Sequence, residues 1–166
     1  MLRIPSTIGT LTMLFLLAAT ANGQKLSGPA ASCPVTRAPQ PAFVPAVPNR
    51  GGAVWGNGFF YGDENLFTEI QSVWTGLPHW ETGYRQKIVW WIRGYDWKAQ
   101  PSPDLRIEGR RLDAPAPPLI VTGANGSYTP DMGSFVMSGV NFPTEGCWEV
   151  TGRSKTAALT FVVCVE

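Results

Sequence analysis

The segment Gly146–Val165 reads GCWEVTGRSKTAALTFVVCV, two runs of alternating polarity joined by a short polar stretch. Paired as an antiparallel hairpin, it places Trp148 opposite Val163 and Val150 opposite Phe161. Successive side chains of a strand point to opposite faces, so this register collects the large apolar groups on one face. The segment therefore predicts a β-hairpin whose apolar face lies in a hydrophobic core.

The other face of this hairpin carries Cys147 directly opposite Cys164. Directly opposed residues have close Cβ atoms, and disulfides persist in oxidising compartments. The register therefore predicts a Cys147–Cys164 disulfide. Cys33 is then left over, and the sequence leaves three roles open for it: a free thiol, a link between two chains, or a bridge to one of the other two cysteines made by folding the N-terminal arm back.

After Gly51, β-branched and aromatic residues gather in short runs that are separated by Gly, Pro, Asn and Asp, and no helical period is evident. About seven to nine short strands with this spacing predict an all-β fold, an antiparallel β-sandwich. The predicted strands are Ala53–Trp55, Phe59–Tyr61, Leu66–Trp74, Gln86–Arg93, Asp104–Arg111, Leu119–Thr122, Ser134–Val140, Cys147–Gly152 and Ala158–Val165.

Turn-forming residues separate these runs. Asn57-Gly58 and Asn125-Gly126 reach the left-handed conformations that tight turns need, so each dipeptide predicts a turn. Prolines recur in Ala114–Pro118, which cannot pair within a sheet and is expected to cross from one sheet to the other.

The N-terminus has the features of a secretory signal peptide. Arg3 precedes an apolar run, Ile8–Ala18, that is too short to span a bilayer comfortably, and Ala19–Ala21 suits signal peptidase. We predict a signal peptide over residues 1–21, and therefore a secreted protein, in the periplasm or outside the cell. A lipoprotein acylated at Cys33 is the alternative.

Residues 22–50 are predicted to form a Pro-rich arm or linker ahead of the domain that we assign to residues 51–166. Prolines and small residues recur here at short intervals and disfavour both a continuous helix and a central strand. Two arrangements are open: a flexible tether, or an arm that lies along the domain and is anchored by Phe43, Val44 and Val47.

The charge balance argues against two classes of partner. The sequence has 13 Lys and Arg residues against 12 Asp and Glu residues, and cleavage of the signal removes one arginine, Arg3. Without a basic or acidic run, neither nucleic acid nor an anionic membrane surface is an expected partner. Beyond the signal no apolar segment reaches the length of a membrane span, so we expect no integral membrane segment in the mature chain.

Three stretches carry a resemblance to a known group of proteins. FPTEGCWEVTG at 142–152, preceded by IEGRRLDAPAPPL at 107–119 and YGDENLF at 61–67, resembles a group of secreted bacterial proteins with an immunoglobulin-like domain of uncharacterised function. The resemblance covers Ala53–Glu166. It implies an immunoglobulin-like β-sandwich and no particular activity, because one fold hosts many functions.

Five of the seven tryptophans fall between Trp74 and Trp97. In KIVWWIRG the neighbours Trp90 and Trp91 point to opposite faces of a strand, so one ring enters the core and the other leaves it. The outward ring is either covered by the arm, a loop or a second copy, or forms a platform for a sugar ring or a peptide. The candidate binding residues are Trp91, Trp97, Trp80 and Tyr95.

Signatures of catalysis and of metal binding are weak. His79 is the single histidine, it follows Pro78 in an apparent loop, and no Gly-x-Ser-x-Gly elbow exists, so nucleophilic hydrolysis has little support. The cysteines occur singly without a Cys-x-x-Cys pattern, so no zinc site and no cofactor is predicted. His79, Met132 and Met137 are conceivable copper ligands, but methionines in a strand-rich domain far more often fill the core.

Glu108 and Glu149, with Asp104 nearby, are the carboxylates that a glycosidase would use, but their spacing in sequence selects no pair. These patterns together predict a non-catalytic secreted accessory or interaction module whose partner is a protein or a glycan. The alternatives are a carbohydrate-binding module with an exposed tryptophan platform and a secreted hydrolase.

Overall fold

The computed structural model describes residues 32–46 and 57–166. The predicted signal peptide, the predicted strand Ala53–Trp55 and the proposed anchor Val47 lie outside the described residues. The described part contains ten β-strands and no helix. The strands are β1 (Phe59–Gly62), β2 (Leu66–Ile70), β3 (Val73–Trp74), β4 (His79–Trp80), β5 (Gly83–Ile92), β6 (Arg106–Arg111), β7 (Ile120–Thr129), β8 (Gly133–Phe142), β9 (Gly146–Arg153) and β10 (Ala158–Val165).

The strands form two sheets. Sheet A has the order β1-β2-β5-β8-β7, with β4 paired to the start of β5, and sheet B has the order β3-β10-β9-β6. Neighbouring strands are antiparallel except β3 and β10, which are parallel. Apolar side chains from both sheets form one continuous core. The prediction of an all-β fold with two layers of strands is confirmed.

The proline-rich stretch Ala114–Pro118 makes the crossover that the sequence predicts. It follows β6, an edge strand of sheet B, and precedes β7, an edge strand of sheet A. Leu119, directly after it, is buried and donates its N–H to the carbonyl of Gly109 (3.2 Å). The prolines therefore lie where the chain leaves one sheet for the other and no ladder hydrogen bond is required.

The β9–β10 hairpin forms in the predicted register. Trp148 lies opposite Val163 and Val150 opposite Phe161, and all of these side chains are buried. Burial of each contributes on the order of 2 kcal/mol. A slip by one residue would turn all of them to solvent, so their burial fixes the register.

Trp90 fills the space between the sheets. Its side chain is fully buried, and its indole N–H donates to the Ser138 hydroxyl (3.0 Å), which itself donates to the carbonyl of Ile88 (3.3 Å). A buried polar group without a partner is costly, so this relay allows a tryptophan to occupy the core. Gly152 of sheet B faces the ring, and a Cβ at that position would lie 2.4 Å from it.

One predicted strand is divided between the sheets. The run Leu66–Trp74 forms β2 in sheet A and β3 in sheet B, with Gln71 and Ser72 between them. Ser72 holds the transition, because its carbonyl accepts the N–H of Cys164 (2.9 Å) and its hydroxyl donates to the carbonyl of Thr36 (2.7 Å). Hydrophobic alternation does not reveal such a change of sheet, since both halves keep an inward apolar face.

The predicted turn at Asn125-Gly126 is wrong, because β7 runs through both residues. Gly126 instead permits a close approach of backbone and loop: its N–H donates to the Pro101 carbonyl (3.3 Å), and a Cβ there would lie 2.0 Å from the Tyr95 hydroxyl. The chain turns later, at 130–132. A glycine within a strand often marks a place where another part of the chain approaches closely.

The described part of the arm, residues 32–46, has no regular secondary structure and lies against the domain. At Thr36 it runs beside β10: the Thr36 N–H donates to the Val162 carbonyl, and the Val162 N–H donates to the Thr36 hydroxyl oxygen, both at 2.8 Å. Further along, the Phe43 ring meets Phe67 of β2. The arm therefore wraps from the edge of sheet B to the outer face of sheet A.

The disulfide joins Cys33 to Cys147, with the Cα atoms 5.3 Å apart, so the predicted Cys147–Cys164 bridge is wrong. Cys164 is a half-buried free thiol, although it lies opposite Cys147 as predicted. The arm explains the difference, because its hydrogen bonds to Val162 bring Cys33 across the edge of β10 to the outer face of sheet B. The geometry of the β9–β10 hairpin alone does not predict the position of Cys33.

The arm disulfide closes a loop with a sequence separation of 114 residues. In the chain-entropy model a loop of this size stabilises the folded state by about 4 to 5 kcal/mol. We expect Cys33→Ser in a Cys164→Ser background to lower the free energy of unfolding by about this amount relative to Cys164→Ser alone, measured by urea unfolding. The background removes the alternative pairing within the hairpin, and equal stability of the two variants would contradict the bridge.

Gly152→Ala is expected to destabilise the fold through Trp90. The added methyl meets a fully buried ring, and overpacking of this kind costs about 1 to 3 kcal/mol. Urea unfolding of Gly152→Ala, Trp90→Phe and the double variant measures the effect, since the smaller ring of phenylalanine leaves room for the methyl. Additive losses in the double variant would show that the methyl clashes with another group.

Candidate functional site

Trp91 points away from the core, as the sequence predicts for one of the two neighbouring tryptophans, but it is buried, with 4% of its surface exposed. Its ring stacks on Phe67 (centroids 5.1 Å apart, planes at 7°) and meets Phe60 edge-on (5.7 Å). Its indole N–H donates to the carbonyl of Met132 (3.0 Å). Trp91 therefore presents no open ring to a ligand, which corrects its assignment as a binding residue.

The rings around Trp91 form a second apolar cluster on the outer face of sheet A. This outer cluster consists of Phe60, Phe67, Val89, Trp91 and Phe135, with Phe43, Met132 and Met137 at its margin. Phe43 comes from the arm and packs edge-on against Phe67 (5.5 Å), whereas its neighbour Val44 is 57% exposed. The arm thus supplies a side chain that keeps an outward-facing apolar cluster from water, and Phe43 rather than Val44 is the anchor.

Trp97 lies in the loop that follows β5, against the edge strand β7. Its ring stacks on Tyr128 (6.3 Å, planes at 19°), and the ammonium of Lys98 lies 5.9 Å from its centroid. Tyr128 is half exposed, so the pair forms a small aromatic surface. Asp96 and Ser134 line the same hollow.

Tyr95 holds the same loop in place. Its hydroxyl donates to the Gln100 carbonyl (3.0 Å) and lies against Gly126, where no side chain intervenes. Burial, with a smaller contribution from the charge of Asp96, raises the pKa of Tyr95. Tyr95 therefore anchors the loop and also lines a hollow with Gln100 and Asp104, and its role as a binding residue stays a prediction.

Trp80 is the exposed residue among the described tryptophans, with 54% of its surface open. It lies on β4, which pairs with the start of β5 through the short turn at 81–82. Gly83 follows this turn with a φ of 111°, a conformation that favours glycine, and a Cβ there would lie 2.1 Å from the Phe142 carbonyl oxygen. The hairpin therefore fixes Trp80 at one end of sheet A.

An open groove surrounds this ring, and we name it the Trp80 groove; it is lined by Pro78, Trp80, Arg85, Gln86 and Lys87. The Arg85 guanidinium lies 5.2 Å from the centroid of the Trp80 ring, a cation–π contact that supports one face of the ring. The Gln86 side-chain oxygen accepts the Lys87 N–H (2.9 Å). The groove combines a flat apolar ring with the guanidinium of Arg85 and the ammonium of Lys87, which suits a ligand with ring faces and oxygen acceptors.

Sequence reasoning missed the polar residues of this groove. The available signal was the alternation along β5, where Arg85 and Lys87 share the outward face with Val89 and Trp91. Polar residues occupy the first half of that face and apolar residues the second half. The outer face of sheet A therefore has a polar, solvent-exposed half beside Trp80 and an apolar half that the arm covers.

The predicted binding residues do not form one platform. The Trp80 hairpin meets β8 at Phe142, whereas Tyr128, the partner of Trp97, pairs with Ser134 near the start of β8. The length of strand between Ser134 and Phe142 is about 26 Å at the rise of an extended chain. Trp80 and Trp97 therefore belong to separate surfaces at opposite ends of sheet A.

The glutamates considered for acid–base catalysis are ion paired on the outer face of sheet B. Glu149 accepts from Arg110 (2.8 Å) and Glu108 accepts from Arg153 (3.2 Å). Asp104 lies in the connection before β6. Each glutamate is thus held by an arginine on an open sheet face, where such pairs contribute little to stability.

His79 lies on β4, where its ring meets Tyr84 edge-on (4.7 Å). Met137 pairs with Val89 and belongs, like Met132, to the margin of the outer cluster. Tyr84 and Val89 are about 16 Å apart along β5, so the structure does not gather the three copper ligands considered. In the part of the chain that the structure describes, no group of three or more His, Cys, Asp and Glu side chains is arranged to hold a metal ion.

No protein-family model, no curated protein and no solved structure matches this chain. Its function is therefore inferred from the chemistry of its own surfaces. Within residues 32–46 and 57–166, no helix has the length and apolar character needed to cross a membrane.

Phe43→Ala is expected to loosen the arm and to lower the free energy of unfolding by about 1 to 2 kcal/mol, because the ring is half-buried. Tryptophan emission is expected to move to longer wavelength as water reaches Trp91. Fluorescence-monitored urea unfolding measures both effects. Val44→Ala is the matched control, since this exposed neighbour is expected to change stability by less than about 0.5 kcal/mol. Equal effects of the two variants would argue against anchoring by Phe43.

Proposed function

We propose that this protein is a non-catalytic interaction module with an immunoglobulin-like β-sandwich, which works outside the cytoplasm and binds its ligand at the Trp80 groove. The observation that carries the proposal is the exposure of Trp80 beside Arg85, while Trp90, Trp91 and Trp148 are buried. An indole held open on a short hairpin, next to hydrogen-bond donors, is typical of recognition surfaces.

The strand order supports the immunoglobulin-like arrangement. In that fold one sheet has the order A-B-E-D and the other contains strands C, F and G. Here β2, β5, β8 and β7 fall in the order A-B-E-D, and β6, β9 and β10 take the places of C, F and G. β3 continues the first of these strands into the second sheet, parallel to β10. The strands β1 and β4 are additions to this pattern.

The Cys33–Cys147 disulfide supports a location outside the cytoplasm, where disulfides are not reduced. The apolar run Ile8–Ala18, followed by Ala19–Ala21, adds the sequence signature of a secretory signal. The periplasm and the extracellular space both agree with these features.

A glycan is the ligand class that the groove favours, which makes a carbohydrate-binding module the more specific form of the proposal. The free face of the indole suits the apolar face of a sugar ring, and the Arg85 guanidinium and the Lys87 ammonium supply donors to hydroxyl groups. Arg85 and Lys87 bring two positive charges to the same groove. These charges favour an acidic glycan over a neutral one.

A secreted hydrolase has weaker support. Catalysis would need two free carboxyl groups flanking a cleft, or an activated nucleophile. Glu108 and Glu149 are each paired with an arginine, and His79 packs against Tyr84. The proposal therefore assigns no catalytic residue.

Isothermal titration calorimetry tests the groove with cellohexaose, chitohexaose and polygalacturonate as probes. We expect polygalacturonate to bind most tightly, and Trp80→Ala to weaken that binding at least about tenfold by removing the stacking surface. Tyr128→Ala is the matched control, because Tyr128 has a similar exposure of 50% but lies at the other end of sheet A. This control is expected to bind like the wild type.

Circular dichroism of both variants verifies that the fold is retained. If no probe binds, and the mass of the wild type rises with concentration while that of Trp80→Ala does not, protein association replaces the glycan as the ligand of the groove. Binding that Tyr128→Ala loses and Trp80→Ala retains would contradict the proposal.

A further inference from the structure

Three sulfurs meet on the outer face of sheet B. Cys33 is bonded to Cys147, and Cys164 lies directly opposite Cys147 across the β9–β10 ladder. Directly opposed strand residues have Cβ atoms about 4.5 to 5.5 Å apart, close to the separation that a disulfide requires. A free thiol therefore lies beside a disulfide, and the shared sulfur of Cys147 has two possible partners.

We propose that Cys147 exchanges its disulfide partner within the folded chain. The Cys164 thiolate attacks the Cys147 sulfur, the Cys147–Cys164 bond forms, the Cys33–Cys147 bond breaks, and Cys33 leaves as a thiolate that takes up a proton. One disulfide and one thiol are present before and after the step, so no oxidant or reductant is consumed. The exchange does not depend on ligand binding at the Trp80 groove.

Burial makes Cys164 the nucleophile with the best access. Cys147 is 2% exposed, so external thiols are kept from its sulfur, whereas Cys164 is already its cross-strand neighbour. The new bridge would also close a much shorter loop than the one between Cys33 and Cys147, and short loops are entropically easier to close. The arm contacts oppose this preference, since they hold Cys33 at the same place.

The groups around the thiol set the pH range of the exchange. Burial first, and then a hydrogen bond to the Glu166 carboxylate (3.6 Å), raises the pKa of Cys164. The negative charge of Asp113, which is ion paired with Arg111, raises the pKa of Cys164 further. Glu149 lies on the same sheet face and is ion paired with Arg110. Thiolate is therefore scarce at neutral pH, and its concentration rises about tenfold per pH unit until the pKa is reached.

Exchange changes how the arm is held. In the present bridge, Cys33 ties the arm covalently to β9. After exchange, non-covalent contacts alone hold it: the Thr36–Val162 hydrogen bonds, the Ser72 hydroxyl and the Phe43 ring. Because the arm covers the outer cluster, its opening would let water reach that cluster. The three sulfurs thus form a switch between a tied arm and a releasable one.

Peptide mapping reports the exchange directly, because trypsin places Cys33 in 26–37, Cys147 in 112–153 and Cys164 in 156–166. The mature chain is incubated at pH 6, 7.5 and 9 without added thiol, alkylated at pH 6, digested and analysed by mass spectrometry. At pH 9 we expect 112–153 to become bonded to 156–166, with Cys33 alkylated. The rate is expected to rise about tenfold per pH unit and to stay constant on dilution, since the step is intramolecular.

Two variants sharpen the test. Glu166→Gln removes a carboxylate that disfavours the thiolate, so its exchange at pH 7.5 is expected to be several-fold faster. Cys164→Ser is the control and keeps 26–37 bonded to 112–153 at every pH. Hydrogen exchange at the Val162 amide is expected to accelerate in the exchanged form, because the arm then opens. Two results would overturn the proposal: an unchanged bond at pH 9 with Cys164 as the alkylated residue, or a peptide joining 26–37 to 156–166.

Discussion

The pairing of β9 with β10 is the constraint on which the rest of the structure depends. Its register turns Trp148, Val150 and Phe161 into the core and turns Cys147 and Cys164 to the outer face. β6 extends sheet B from one side of this hairpin and β3 from the other, so the whole sheet is built on it. Because side chains alternate between the two faces, this one register places large apolar side chains in the core and brings two cysteines together on the outer face.

Sheet A shows how one strand serves two surfaces. The outward side chains of β5 begin with Arg85 and Lys87 beside the open indole of Trp80, and they end with Val89 and Trp91 beneath the arm. An apolar outward face needs a cover, and the arm provides it with Phe43. The polar half needs none and remains accessible, which is why the groove and the covered cluster lie side by side.

The sequence contains the features of this fold that depend on local pattern. The hairpin register, the proline crossover at Ala114–Pro118 and the all-β class follow from alternation and from residues that cannot join a ladder. The partner of Cys147, the burial of Trp91 and the strand through Gly126 depend on contacts with distant segments, which no local pattern encodes. The Trp80 groove is an intermediate case: the aromatic residue stands out in the sequence, but its polar neighbours come from the adjacent strand.

The position of the arm disulfide also has a mechanical consequence. Tension applied to the chain ahead of Cys33 reaches the covalent bond to Cys147 before it reaches the non-covalent contacts from Thr36 to Phe43. Cys147 belongs to β9, which is hydrogen-bonded on one side to β10 and on the other to β6. A pull from the N-terminal side is therefore distributed over β10 and β6, the two strands hydrogen-bonded to β9. The segment from Thr36 to Phe43, which non-covalent contacts hold, bears less of the force.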